Sequence, residues 1–570
     1  MRCLIQFSQD SHWVHFRFAE LDSLLCMNGI DPATAYSKTD VTEAEIAFLC
    51  VELPDSEVSK AICERSVLIK AIYELWCNAP TVADLIQGTK NLDSLFLKPY
   101  LSNDKSWSIN VDTHCKTYSM GDKERCRNHF KILNFQGKVN LSEGADVQLW
   151  ILLNYYEEKD NAIGDVTDLP TVPAYLGRLL ARGGMKEELK KYDLKKRLYL
   201  GPTSLDPSLA LLMANMAQVK KYHMAFDPFV GTASILVAVS HFGAKCFGTD
   251  IDPRVLRGEM YAGSADKTTD KTKRDIFENF VEYNLEKPEL IRMDNHMFDR
   301  HIFISDKKGN TNSTIQDENL KISKKITSSS DSLVVEAESM EASDSMQISE
   351  DIDHFNVDNG CMFDVIVTDP PYGIRAGAKK SGKRKKVEYS ISEDKRHDHI
   401  PSTQHYPVEE VMIDLLHTAA RTLTCGGRLV YLIPTILGFN SDDLPKHPCL
   451  KFMRICEQQL STRHSRHAVI MVKYRNYTPA LEEEFAVYKD FIISGQDTGF
   501  GSLMTKLELA LSVDAFQNDA VIKKCSNASL RRKESKLRRA KERDEGKHIY
   551  PNKNSHNYFD KNKELENKSD

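Results

Sequence analysis

A chain of 570 residues is long enough for two or three domains with complete cores. Its hydrophobic fraction of 41% suits globular structure, and a net charge of −6 gives no overall signature of a nucleic-acid binder, although such a sum hides local basic patches. The 13 cysteines are scattered with no Cys-x-x-Cys pair, which argues against a disulfide framework and an internal zinc site, and no apolar run approaches the ~20 residues that span a bilayer. These features predict a cytoplasmic protein with no metal and no membrane segment.

The first third reads as a mixed α+β module. A strand is expected over 46–53, and a helix over 66–76 that places Leu68, Ile72, Leu75 and Trp76 on one face, with Arg65 and Lys70 outside the apolar stripe. For either cation alone, a solvated charge on a core-packed helix is the favoured reading and an RNA contact the other. Strands are expected over 107–118, 130–139 and 147–156, with Gly137 and Gly144 at turns. The runs Arg65-Ser-Val-Leu-Ile-Lys-Ala-Ile-Tyr-Glu-Leu-Trp76 and Phe130-Lys-Ile-Leu-Asn-Phe-Gln-Gly-Lys-Val-Asn-Leu141 resemble the THUMP-containing amino-terminal region of tRNA guanine-10 N2-methyltransferase catalytic subunits. The resemblance implies a tRNA-binding region over 1–165.

Residues 166–198 read as a basic linker. Arg178, Arg182, Lys186, Lys190, Lys191, Lys195, Lys196 and Arg197 crowd together with Tyr192 and Tyr199 nearby, a composition that fits a phosphate-neutralising strip and a solvated linker helix equally well. Lys195, Lys196 and Arg197 are the candidate RNA contacts here. The run 192–204 also resembles the tRNA enzymes at the entry to their catalytic domain.

A short strand ending at Phe226 is followed by Asp227-Pro-Phe229-Val-Gly231-Thr232-Ala233-Ser234, which turns into a helix. Gly231 permits close approach of a ligand, and the helix amino terminus offers free N–H groups to a carboxylate such as methionine's. No Gly-Lys-Ser/Thr follows, so a P-loop is excluded, and the glycine spacing is wrong for a nicotinamide fingerprint. Asp250 ends the next strand 23 positions after Asp227, about where a second-strand acid meets ribose hydroxyls, and it also stands where it could cap a helix beginning near Pro253. Asp227-x-Phe229-x-Gly231 resembles the first motif of class I methyltransferases. That resemblance implies cofactor contacts from Asp227, Phe229, Gly231, Thr232 and Asp250, with Asp294 as the adenine-side acid. Ala233 departs from it, since many relatives carry glycine there.

Residues 306–350 are rich in Ser, Lys, Asp and Glu and read as a disordered insertion. Phe363-Asp-Val-Ile-Val-Thr-Asp-Pro-Pro-Tyr-Gly373 then reads as a buried strand broken at its carboxyl end, where open α/β sheets bind ligands. Two prolines stiffen the turn and leave carbonyl oxygens on offer. Asp369 and the Pro370 carbonyl could accept two N–H bonds from an exocyclic amino group, while Tyr372, after Pro371, stacks on the base. The turn resembles the Asp-Pro-Pro-Tyr motif of amino methyltransferases. A flexible basic loop follows over 375–386, with Lys383 and Arg384 as candidate RNA contacts and a nuclear import signal as the other reading. A helix over 411–423, a strand over 428–434 and a hairpin of 451–456 with 468–474 close the sheet, and 481–570 reads as a charged extension.

The expected architecture is an α/β Rossmann-like class I methyltransferase domain over 199–480, with a mixed seven-stranded sheet, behind an α+β THUMP-containing domain. The resemblance implies transfer of a methyl group from S-adenosylmethionine to N2 of guanosine 10 in tRNA, in a heterodimer with a small zinc-binding activator. The rivals are an amino methyltransferase acting on another RNA, DNA adenine or protein glutamine, and a non-catalytic RNA-binding scaffold.

Overall fold

The computed structural model describes residues 1–9, 12–37, 46–142, 144–155, 169–259, 274–298, 361–372, 378–382, 402–436, 439, 441–461, 464–494, 500 and 507. The 306–350 insertion, Lys383, Arg384 and all residues after 507 lie outside the described residues.

Two sheets organise the chain. The first comprises β1 (Arg2–Phe7), β2 (Phe48–Glu52), β3 (Ile69–Ala79), β4 (Trp107–His114), β5 (Val147–Asn154) and β6 (Ala174–Arg182), in the order β2-β1-β3-β6-β5-β4. Around it lie α1 (Arg17–Met27), α2 (Pro32–Ala35), α3 (Ser56–Arg65), α4 (Val82–Lys90), α5 (Ser94–Leu101) and α6 (Met120–Asn128). The structure corrects three expectations here. Residues 66–76 enter strand β3 instead of a helix. The i, i+4 spacing of Leu68 and Ile72 is accidental in a central strand whose two faces are both covered: Ile69 and Ile72 pack into one cluster, Ala71, Tyr73 and Leu75 into another. The 130–139 strand is absent, because α6 runs into a 3-10 turn (His129–Leu133) that buries Phe130 and Leu133 and ends at Asn134 in the left-handed region, φ 51°. The segment 166–198 is more than a linker, since β6 within it pairs with both β3 and β5.

After α7 (Met185–Lys191) and α8 (Pro207–Met216) comes the second sheet: β7 (Met224–Asp227), α9 (Ser234–His241), β8 (Lys245–Asp250), α10 (Pro253–Leu256), α11 (Ile276–Glu282), β9 (Glu289–Arg292) and β10 (Phe363–Thr368). The chain continues through the short pair β11 (Lys379–Ser381) and β12 (Thr403–His405), α12 (Val408–Thr422), β13 (Leu423–Ile436), β14 (Leu450–Gln459), β15 (His464–Lys473) and α13 (Pro479–Ile493). In the order β14-β15-β13-β10-β7-β8-β9 all neighbours pair in parallel except β15, which runs antiparallel to both β13 and β14, and this realises the expected seven-stranded mixed sheet. Lys379 and Lys380 stand in β11 rather than in a flexible loop, and Lys380 pairs with Glu410. Nor does a charged extension begin at 481, for α13 sets Phe485 and Ile492 into the core and Lys489 onto Asp414 at 2.8 Å.

The two domains meet at a buried polar joint. Glu20 of α1, 1% exposed, accepts from Ser66 Oγ (2.7 Å), Val67 N (2.8 Å), Leu68 N (3.0 Å) and Asn215 Nδ2 of α8 (2.7 Å). Arg65 donates to Asn215 Oδ1 (2.9 Å) and the Val219 carbonyl (2.6 Å), and its guanidinium lies 3.7 Å from the centre of the Phe242 ring. Arg65 is therefore a joint residue turned inward, which takes it away from the RNA role expected for it.

Candidate active site

The loop expected to bind the cofactor is built by the ends of β7 and β8. Asp227, 1% exposed, accepts from its own loop through Phe229 N (3.0 Å) and from the neighbouring strand through Thr368 Oγ1 (2.6 Å). It thus fastens the loop to the strand that carries the reactive turn. Val230 N bonds the Thr249 carbonyl (2.9 Å), Gly231 N bonds Asp250 Oδ2 (3.1 Å), and Thr232 Oγ1 meets Ser204 Oγ at 3.0 Å. Gly231 has φ 49° with nothing within 4 Å of where a Cβ would stand, so the loop is open to a ligand at that point. Ala233 adopts φ 62°, doing without the glycine that a left-handed position favours, at a strain on the order of 1 kcal/mol.

Asp250 does not cap α10. That duty falls to Asp252, whose side chain accepts from Arg254 N at 3.0 Å, while Asp250 Oδ1 accepts from Asp252 N at 2.9 Å. Held by one backbone N–H on each oxygen, the Asp250 carboxylate is fixed in orientation and retains lone pairs for hydroxyls. Asp294, 5% exposed, accepts from His296 N (3.0 Å) and Ser381 N (2.7 Å), tying β11 to the end of β9.

The reactive turn leaves β10 between β7 and β13. Asp369 is engaged on both oxygens: Tyr372 Oη donates to Oδ1, and Arg466 Nη1 of β15 lies 3.9 Å from Oδ2. Gln458 Oε1 steadies that guanidinium by accepting from Nε (3.1 Å) and Nη2 (2.7 Å). The half-buried Tyr372 ring packs against the clusters on both faces of the sheet. Burial pushes the Asp369 carboxyl up, against the pull of Arg466 and the Tyr372 hydroxyl. Burial likewise raises Asp250 and pushes Asp227 up to about 7, with the nearby Asp369 and Asp250 charges adding to the latter. Three carboxyl groups thus stand at the ends of three adjacent strands, an arrangement that favours a cation.

All the expected cofactor and turn residues thus follow the carboxyl ends of β7, β8, β9 and β10. The expected RNA contacts do not behave alike. Lys70 is exposed beside Asp112, and Lys195 and Lys196 lie in a 3-10 turn on the surface, but Arg197 is 1% exposed and donates to Ser234 Oγ at 2.7 Å. A side chain so buried cannot meet phosphates. Arg466, Gln458 and Thr368 were not legible as site residues, because isolated polar residues on strands carry no local signal and the hairpin register alone brings Arg466 to the turn.

An open sheet with this strand order, a left-handed glycine loop closed by the second strand's acid, and an Asp-Pro-Pro-Tyr turn at its centre define a class I methyltransferase. Residues 1–184 match the Tmrp11 THUMP N-terminal domain and residues 195–386 the RMKL-like methyltransferase domain. The chain belongs to the tRNA (guanine(10)-N(2))-methyltransferase family: it is 33% identical over 507 residues to the TRMT11 enzyme of Dictyostelium discoideum, covering 84% of each chain. The corresponding proteins of Homo sapiens and Bos taurus are each 30% identical, over 84% of this chain and 90% of theirs. Among solved structures, TrmN from Thermus thermophilus aligns with a TM-score of 0.35 at 13% identity, over 83% of this chain and all of its own.

Proposed function

We propose that this chain transfers a methyl group from S-adenosylmethionine to the exocyclic N2 of guanosine 10 in tRNA. The observation that carries the reading is the single bonded unit formed by the cofactor loop and the reactive turn through Asp227 and Thr368, in a chain of this family. The residues present fit the cofactor: the acidic strand ends suit a sulfonium, Gly231 leaves open space, and Asp250 presents a fixed carboxylate to the ribose. When bound, S-adenosylmethionine supplies an electrophilic methyl group.

Asp369 and the Pro370 carbonyl accept the two N–H bonds of the guanine amine, and Tyr372 stacks on the base. Because Tyr372 Oη holds Asp369 Oδ1 in the free protein, the incoming amine competes with that hydroxyl, while Arg466 keeps the other oxygen in place. The chemistry is then mostly alignment in a preorganised polar site. Asp369, its affinity for protons raised by burial, is placed to take the proton that N2 releases.

A cleft of about 310 Å³ on the first domain, lined by Lys70, Asp112, Lys123, Arg127, Trp150 and Arg182, supports the tRNA-binding reading. Its cations match phosphates, and the Arg182 guanidinium sits 5.0 Å from the Trp150 ring. We assign the activator subunit to β9, an end strand of the second sheet on which Ile291 is exposed. No described helix is long and apolar enough to cross a membrane, which suits the cytoplasmic site of action we propose.

Incubation of the chain and its activator with labelled cofactor and separate pools of tRNA, DNA and protein tests the reading. Label is expected in N2-methylguanosine from tRNA. Label in adenine or glutamine, or in no pool, overturns it.

A further inference from the structure

The burial of Arg197 is unexplained by anything the folded chain itself requires. A buried guanidinium is normally paired with a carboxylate, because an isolated charge costs several kcal/mol to desolvate. Arg197 is 1% exposed, and among the described residues its Nε has no hydrogen-bond partner while its guanidinium donates through Nη1 to the neutral Ser234 Oγ at 2.7 Å. Ser234 is the first residue of α9, an eight-residue helix whose amino terminus has no capping side chain and no acidic residue in its first turn. A helix amino terminus carries partial positive charge, so it repels a cation beside it and draws an anion. Two positive features are folded against each other at the end of the proposed cofactor loop, and among the described residues no carboxylate bonds or ion-pairs with Arg197.

We propose that Arg197 acts through the Ser234 hydroxyl to hold the carboxylate of the cofactor's methionine moiety at the amino terminus of α9. With one Oγ lone pair taken by the guanidinium, the Ser234 O–H proton is free to point forward as a donor. The uncapped backbone N–H groups of α9 point the same way, and the buried charge behind them strengthens every donor in front. The Ser204 and Thr232 hydroxyls, 3.0 Å apart, border the same loop. Arg197 is thus a positioning residue, and the anion it serves completes an electrostatic arrangement that the free protein leaves open. The inference rests on the methyltransferase reading, and the test separates the two.

Binding to the full chain with its activator is measured by calorimetry for S-adenosylmethionine and for decarboxylated S-adenosylmethionine, which differ in the carboxylate alone. The parent should prefer the intact cofactor by roughly tenfold or more, the worth of a charge-assisted hydrogen bond. Arg197→Met should remove most of that preference while leaving affinity for the decarboxylated form within about twofold, and Arg197→Lys should restore part of it. Ser234→Ala should lose the same preference, and it decides the matter if Arg197→Met does not fold. Equal weakening of both ligands, or a preference unchanged in both variants, overturns the inference. Failure of the parent to bind either ligand overturns the methyltransferase reading itself.

Discussion

Asp227 joins the cofactor loop to the reactive strand while carrying a carboxyl that burial pushes up to about 7. A carboxyl raised in the folded state keeps its proton where the unfolded chain has lost it. Its stabilising contribution is therefore complete below the unfolded value near 4 and fades as the pH rises toward about 7. Asp227→Asn, which never ionises, should gain on the parent by up to about 1 kcal/mol per pH unit between roughly pH 4 and 7, and by nothing further above that. Urea unfolding of the cofactor-free proteins across that range measures it, and a constant gap would show that Asp227 is ionised throughout. The same residue shows what sequence does and does not disclose. Asp227, Asp250 and Asp369 were legible because each ends a short β-branched or aromatic run. That Asp227 bonds Thr368, or that Arg466 reaches Asp369, depends on strands far apart in the chain and on their register.

Among the elements, the joint between α1, the start of β3 and α8 buries a cluster of polar groups. Removing the Glu20 carboxylate takes away an acceptor shared by four donors and leaves Ser66 Oγ and Val67 N without it, so Glu20→Ala should cost about 3 kcal/mol of stability in chemical denaturation. A loss below about 0.5 kcal/mol would mean that water replaces the carboxylate at no cost. Elements of the second sheet were readable because turn residues bound them and their order fits a known topology. Those of the first were harder for a physical reason. In β3 both faces are covered, so its sequence lacks alternation and can be fitted by a helical period. Arg65 and Arg197 misled in a related way: composition assigns cations to the surface, and only tertiary packing reveals that one closes a domain joint and the other lies behind a helix terminus.

For the whole molecule, we propose that the first domain captures the substrate and the second delivers the chemistry. Lys123→Glu with Arg127→Glu should weaken binding across tRNA species and flatten its dependence on salt, since each lost phosphate contact lowers the salt slope by about one. Unchanged affinity and slope would remove the cleft from the tRNA path. Reversal of Lys195 and Lys196 is a fair companion test only if Arg197 is left intact, because a carboxylate buried in its place would report unfolding. With β9 exposed, the chain expressed alone should aggregate or be inactive and be rescued by the zinc-binding activator, and robust activity of the pure monomer would exclude that partnership. The most direct measurement replaces guanosine 10 of an unmodified tRNA transcript with inosine, which lacks only the exocyclic amine, and follows label transfer from the cofactor. The parent protein with its activator should label the guanosine transcript and not the inosine one, and Asp369→Ala should cut that labelling by orders of magnitude while cofactor and tRNA affinities stay within a few-fold. Equal labelling of both transcripts, or near-normal turnover by Asp369→Ala, would contradict amine methylation at this turn.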